Sequence, residues 1–396
     1  MGSFVPNGSY VRSCFQITVK LTCQAWSAGD DWVPASFDLT NAEDVQLLNE
    51  NGVLKPAPES APPTGFIPAG SYKLTCKDIH VTLACQAEKI DGSYIDATFD
   101  LTHVPAADLW NDNGILKNAY KTLAIYVPGP FYQSSGGIEP LMSSNFNTVI
   151  AWAFHVEADG SIFNEGTVVK GGKYVGDLKW AERLHALKGP TSSVRRILFS
   201  LWGEGTFSNI QNLIWADGPG EPQTGPGTPL YENFRALKAA MPAVDGIDLD
   251  NESLYDTPTT VAFSRMLGVL GYQVTFCTYT DPSFWCDSLQ EVHERDPQIV
   301  AEFNLQCYSG GGGNNPQDWV DAIERKMAPG FHAESFVFPG VGINYGAETP
   351  EKAREKFAYW SKRHPLAGGF LWKADEIPSA YTLRQFADAM RNGLNA

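Results

Sequence analysis

The chain has 396 residues, 43% of them hydrophobic and 12% aromatic, and carries a formal charge of −16 at pH 7. That length admits two domains, or one large barrel with an appendage. The negative charge argues against nucleic acid and against anionic membrane surfaces, and leaves neutral ligands such as sugars. No apolar run approaches the roughly 18 residues of a membrane span.

In chain order, Met1-Gly-Ser-Phe-Val-Pro6 has no basic segment followed by an apolar stretch, so no signal peptide is visible. Four of the seven cysteines lie in the first 85 residues at matched spacing, Cys14 with Cys23 and Cys76 with Cys85. This favours disulfides and hence secretion, against the alternative of four reduced thiols in a cytosolic protein. Cys277, Cys286 and Cys307 lack metal-type spacing and read as core thiols. No metal or other cofactor is expected.

The front of the chain is duplicated with an offset of 62 positions and no gap. Phe4-Val-Pro-Asn-Gly-Ser-Tyr10 matches Phe66-Ile-Pro-Ala-Gly-Ser-Tyr72, and Cys23-Gln-Ala25 matches Cys85-Gln-Ala87. Phe37-Asp-Leu-Thr40 matches Phe99-Asp-Leu-Thr102, and Asn49-Glu-Asn-Gly-Val-Leu-Lys55 matches Asn111-Asp-Asn-Gly-Ile-Leu-Lys117. Each copy shows short alternating strands and an Asn-Gly hairpin turn. Copies of about 50 residues bury little core alone, so the two are expected to fold together as one all-β unit over 1–118, with repeats 4–56 and 66–118.

These residues resemble the cyanovirin-N homology family of lectins. The resemblance implies a pseudo-symmetric domain that binds mannose-rich glycans at two sites. By position match the sugar-binding candidates are Asn49, Asn51, Asn111 and Asn113; the alternative is that Asn51-Gly52 and Asn113-Gly114 serve only as turns.

From about residue 119 apolar runs alternate with amphipathic patterns. Eight strands are expected: 123–127, 148–154, 196–201, 244–250, 273–278, 301–307, 335–341 and 369–372. Helices are expected at 180–187, 231–240, 259–270, 319–326 and 350–363. Eight units in roughly 275 residues fit a (β/α)₈ barrel over 119–396, with chemistry at the C-terminal ends of the strands. The fold class is thus multi-domain, an all-β unit followed by an α/β barrel.

The fourth expected strand carries Asp245-Gly-Ile-Asp-Leu-Asp-Asn-Glu252, four carboxylates in eight residues. In an extended strand Asp248, Asp250 and Glu252 fall on one face, about 6.6 Å apart. Three acids in file repel, which raises at least one pKa and keeps a proton available.

The Asp-Gly-x-Asp-x-Asp-x-Glu pattern resembles the signature of glycoside hydrolase family 18, which contains chitinases and endo-β-N-acetylglucosaminidases. Ser200-Leu-Trp-Gly203 is similar to the family's Ser-x-Gly-Gly, with Trp202 replacing a glycine. Gln306-Cys-Tyr308 and Gly369-Phe-Leu-Trp372 resemble its sixth and eighth strands. The resemblance implies Glu252 as proton donor, Asp250 as clamp on a substrate acetamido N–H, and Asp248 sharing a proton with Asp250. It implies Tyr308 as donor to the acetamido oxygen and Trp372 as the floor of the sugar site, with Gln306 and Asp245 among the substrate-binding residues.

Three functions follow from these resemblances. The first is hydrolysis of β-1,4-linked N-acetylglucosamine, as in chitin, with retention. The second is endo-β-N-acetylglucosaminidase action on high-mannose N-glycans, and the third a non-catalytic double lectin. In each the partner is an oligosaccharide or polysaccharide, either a GlcNAc polymer or a mannose-rich glycan.

Overall fold

The computed structural model describes residues 4–29, 31–60, 66–89, 91–102, 107–112, 115–118, 121–129, 131, 137–189, 191–296, 299–328, 331, 333–363 and 366–396. The chain divides into two compact units, Met1–Tyr120 with Glu291–Ala301, and Lys121–Gln290 with Glu302–Ala396.

The first unit is built from β1 (Asn7–Gly8), β2 (Cys14–Trp26), β3 (Trp32–Asp38), β4 (Val45–Glu50), β5 (Val53–Ser60), β6 (Cys76–Glu88), β7 (Tyr94–Asp100), β8 (Asp108–Asp112) and β9 (Ile115–Asn118). Its largest sheet has the order β3-β2-β6-β7, so the long strands of the two repeats pair antiparallel at its centre. Alternate residues Val19, Leu21, Val81 and Leu83 point to one face and are fully buried. The repeats fold alike in detail. Tyr10 Oη donates to Pro6 O at 3.1 Å and Tyr72 Oη to Pro68 O at 3.0 Å. Val19 N donates to Thr40 Oγ1 and Val81 N to Thr102 Oγ1, both at 3.0 Å.

This arrangement corrects the expected cysteine pairing. Cys14 and Cys23 share one strand, nine residues apart, which in extended chain is about 30 Å. A disulfide tolerates no more than about 7 Å between Cα atoms. All seven cysteines are free, buried thiols. The thiols in contact belong to opposite repeats, Cys14 with Cys85 and Cys23 with Cys76. The sequence offset maps one pair onto the other.

The second unit contains β10 (Thr122–Pro128), β11 (Thr148–Val156), β12 (Ile162–Phe163), β13 (Thr167–Lys170), β14 (Lys173–Tyr174), β15 (Arg196–Leu201), β16 (Gly246–Leu249), β17 (Gln273–Thr278), β18 (Val300–Gln306), β19 (Val337–Gly342) and β20 (Gly368–Trp372). Strand order runs β10-β20-β19-β18-β17-β16-β15-β11, and β10 also pairs β11 in parallel, which closes an eight-stranded parallel barrel. The hairpin strands β12, β13 and β14 continue antiparallel from β11. Beyond the expected helices, Thr206–Ile214, Pro282–His293 and Leu383–Leu394 are also helical. Aspartates fix helix starts: Asp256 Oδ2 accepts from Thr259 N at 3.0 Å. Among the described residues no helix is long and apolar enough to cross a membrane.

At the N-terminal end of the barrel Arg196 Nη1 donates to Glu302 Oε1 at 2.5 Å, with side chains 7% and 2% exposed. Burial pushes the Glu302 carboxyl up and Arg196 pulls it back. Arg196 Nε and Nη2 and Glu302 Oε2 have no partner among the described residues.

Two outcomes follow. Oxidation with glutathione disulfide and non-reducing peptide mapping will recover Cys14–Cys85 and Cys23–Cys76 peptides; a Cys14–Cys23 peptide contradicts the strand assignment. Arg196→Met, which strands a buried carboxylate, will lower unfolding free energy in urea by about 3–5 kcal/mol, and adding Glu302→Leu will recover most of it.

Candidate active site

The fourth barrel strand delivers the acids, and its neighbours explain why it takes this sequence. A Cβ on Gly246 would stand 2.6 Å from Gln273 O, so only glycine lets β17 approach here. Ile247 and Leu249 are buried. Asp248 and Asp250 alternate with them and face inward.

Asp248 is fully buried. Its Oδ1 accepts from Thr275 Oγ1 at 2.5 Å and Asn304 Nδ2 at 3.0 Å; its Oδ2 accepts from Ser200 Oγ at 2.7 Å and Tyr126 Oη at 2.9 Å. Burial raises its pKa, and these donors oppose the rise. Four hydrogen bonds fill a carboxylate.

Asp250 is 3% exposed and accepts from Gln306 Nε2 at 3.1 Å. Burial first, then the Glu252 and Asp248 charges, hold its pKa well above the usual carboxylate range. The buried Trp152 indole N–H makes no well-formed hydrogen bond, yet lies close enough to Asp250 to favour its charge.

β16 ends at Leu249. Asn251 then turns the chain, its Oδ1 accepting from Ser253 N at 3.2 Å and Leu254 N at 3.0 Å. The turn puts Glu252 at the exposed rim. Gln306 Nε2 also donates to Glu252 Oε1 at 3.1 Å, so one amide joins the two outer acids.

Aromatic rings line the same end. Tyr308 is 4% exposed and stacks on Trp372 at 6.1 Å and 21°. Trp372 meets Trp152 edge-on at 4.9 Å and lies 5.3 Å from Tyr126. Trp202 lies 5.0 Å from Trp152 and 6.2 Å from His155. Asp248, Asp250, Glu252, Gln306, Tyr308 and Trp372 are thus brought together.

Asp245 is not among them. It lies at the opposite end of the strand, paired with Lys188 Nζ at 2.8 Å and accepting from Ile197 N at 2.8 Å. It fastens the base of the barrel and cannot reach a substrate at the C-terminal rim. Asp281 Oδ1 accepts from Phe284 N at 3.2 Å at the start of a helix.

Tyr126, Trp152, Thr275 and Asn304 join the site without having been singled out in the sequence, Ser200 was named only within its strand's motif, and Cys277 was read only as a core thiol. Each lies on an expected strand, so the inward period-two positions of the neighbours of strand four were the available signal.

In the first unit Asn49 is committed to architecture. Its Nδ2 donates to Trp26 O at 2.9 Å and Thr75 Oγ1 at 3.1 Å, while its Oδ1 accepts from Gly52 N at 2.8 Å. Asn51 takes left-handed φ 54° before Gly52 at φ 82°, and its Oδ1 accepts from Ala28 N at 2.5 Å. Asn111 lies on β8, its side chain outside what is described, and Asn113 lies outside the described residues. Nearby, Trp26 and Trp32 remain 39% and 36% exposed, 5.0 Å apart, with Lys77 Nζ 4.5 Å from the Trp32 ring. A second exposed pair, Phe15 and Tyr94, lies 4.8 Å apart.

No family model matches the chain, and no curated protein matches it. Among solved structures it is similar to the catalytic domain of a family GH18 chitinase from the fern Peteris ryukyuensis, at 15% identity and TM-score 0.46 over 69% of this chain and 99% of that one. It is also similar to a chitinase from Bacteroides thetaiotaomicron, at 14% and 0.46 over 69% and 96%. A third is the chitinase-like agglutinin RobpsCRA from Robinia pseudoacacia, at 11% and 0.46 over 67% and 99%.

The buried Asp250 carboxyl makes a specific expectation for stability. An unfolded carboxyl ionises at about pH 3.9, while the folded one resists ionisation. The native protein therefore loses stability as pH rises above the unfolded value, until the folded group also ionises. Asp250→Asn will unfold at higher temperature than native at pH 7, and the gain will vanish near pH 4.

Proposed function

We propose that the barrel is a retaining, substrate-assisted glycoside hydrolase of β-1,4-linked N-acetylglucosamine, as in chitin oligomers. The observation that carries this reading is the single Gln306 amide joined to both Asp250 and Glu252, beneath the Tyr308–Trp372 stack. It supplies one exposed acid and one buried acid in reach of a single sugar.

Glu252, at the exposed rim, protonates the leaving glycosidic oxygen. The substrate's own acetamido oxygen closes on the anomeric carbon as that bond breaks, giving an oxazolinium ion. Asp250 accepts from the acetamido N–H and holds the positive charge; Tyr308 Oη donates to the acetamido oxygen. Trp372 presents a flat face to the sugar ring. Glu252, now a carboxylate, takes a proton from water, which opens the ion with net retention. With Asp248 saturated by donors, it acts here as a fixed negative group beneath the pair.

The first unit is read as a glycan-binding module of the cyanovirin type, delivering the barrel to mannose-rich or GlcNAc-containing surfaces. The exposed Trp26–Trp32 and Phe15–Tyr94 pairs support this, since flat rings stack on sugar faces. The protein as a whole is then a carbohydrate-active enzyme.

Incubation with chitotetraose and, separately, with a mannose-rich glycopeptide, followed by mass spectrometry, tests the proposal. Chitotetraose is expected to be cut, and Glu252→Gln to lower the rate by about 10²–10⁴-fold while retaining binding. Cleavage of the glycopeptide alone assigns the barrel to N-glycan cores. Binding without cleavage of either makes the protein a double lectin.

A further inference from the structure

β16, β17 and β18 turn alternate residues into the barrel, and these meet in rows. In the lower row Thr275 and Asn304 both serve Asp248. The register sets Asp248 opposite Thr275, so two residues further along Asp250 comes beside Cys277. Gln306, two residues beyond Asn304, completes this upper row.

Cys277 is 1% exposed, and its Sγ lies 3.5 Å from Gln306 Nε2. The same thiol contacts the Asp250 carboxyl and the Tyr126 hydroxyl. Gln306 in turn donates to Asp250 and Glu252. A closed ring of contacts thus runs Cys277, Gln306, Asp250, and the chemistry above makes no use of the sulfur. The two amide protons of Gln306 go to Asp250 and Glu252, so the thiol packs against the amide nitrogen and its S–H is left to donate to Asp250. Burial and the nearby acids push its pKa well up, so it stays a neutral S–H and is no nucleophile.

We infer that Cys277 is a positioning residue: its thiol, held between Gln306 and Asp250, sets the orientation of the carboxyl that meets the substrate's acetamido N–H. This rests on the hydrolase reading. Alanine at this position frees Asp250 to turn and removes a donor that favours its anion. Serine keeps a donor in the same place.

Several titratable groups face Asp250: Asp248 on its own strand, Glu252 beyond it, Cys277 on β17, Tyr126 on β10 and Tyr308 after β18. At the rim Lys373 Nζ lies 5.4 Å from the Trp152 ring. These groups are common to native and variant proteins, so a difference between variants reports the thiol.

The test is kcat/KM on chitotetraose against pH for native, Cys277→Ala and Cys277→Ser proteins. Alanine is expected to move the acidic limb to higher pH and lower kcat roughly threefold to tenfold, the range of one weak hydrogen bond, with KM nearly unchanged. Serine is expected to return the limb to the native position or below it. Coincident limbs in all three, or serine as impaired as alanine, overturn the inference.

A second readout needs no turnover. The infrared S–H stretch of Cys277, isolated by subtracting the Cys277→Ala spectrum, is expected to shift in Asp250→Asn. An unmoved band overturns the positioning role. Failure of the native protein to cut chitotetraose or the glycopeptide overturns the hydrolase reading instead, and the band then decides the contact by itself.

Discussion

A single buried carboxylate organises the barrel. Asp248 on β16 accepts one hydrogen bond from each of Tyr126, Ser200, Thr275 and Asn304, which stand on β10, β15, β17 and β18. Burying an isolated carboxylate costs several kcal/mol even after relaxation. Four donors offset that cost only if four other strands hold their registers, so a slip of any one strand by a residue would turn its donor away. The constraint that keeps Asp248 in place therefore also fixes where the ends of the neighbouring strands stand. Asp250, Gln306 and Cys277 inherit their positions from it.

The barrel interior is graded from base to rim. At the base Arg196 and Glu302 neutralise one another in a dry environment. In the middle Asp248 has all its lone pairs filled. At the top Asp250 is buried with one well-formed hydrogen bond from the protein, and Glu252 is exposed. From Asp248 outward, acceptor capacity left open thus increases toward solvent. The site is locally unfavourable for folding because its charges have spare capacity that a ligand can use.

The first unit spends its polar hairpin residues differently. Asn49 links the β4–β5 hairpin to Trp26 and Thr75, and Asn51 holds the turn. Both side chains are occupied by backbone and hydroxyl partners. The large apolar side chains that face solvent include rings, Trp26 and Trp32 at one place and Phe15 and Tyr94 at another. The duplication has kept the architecture, with buried Tyr10 and Tyr72 and their matching hydrogen bonds to Pro6 and Pro68. Among the exposed rings it has kept one matched position aromatic, Trp32 with Tyr94, while Trp26 matches Glu88 and Phe15 matches Lys77.

Much was legible in the sequence because it depends on local period. The third and fifth barrel strands, Arg196–Leu201 and Gln273–Thr278, coincide with their expected bounds because each is a short apolar run with clear ends. The acids Asp248 and Asp250 could be placed together because an alternating strand needs no partner to define its faces, whereas Glu252 reaches them through the turn at Asn251. The repeat offset was readable for the same reason. What pairs with what was not. Spacing alone put Cys14 with Cys23, whereas the sheet places them along one strand and brings each to a thiol of the other repeat. Asp245 looked like part of the acid run, yet strand direction sends it to the far end of the barrel, against Lys188. The donors around Asp248 and the thiol beside Asp250 lie on strands scattered between residues 122 and 306. Periodicity along the chain determined which side chains face inward; only closure of the barrel, by fixing register between distant strands, decided which of them meet.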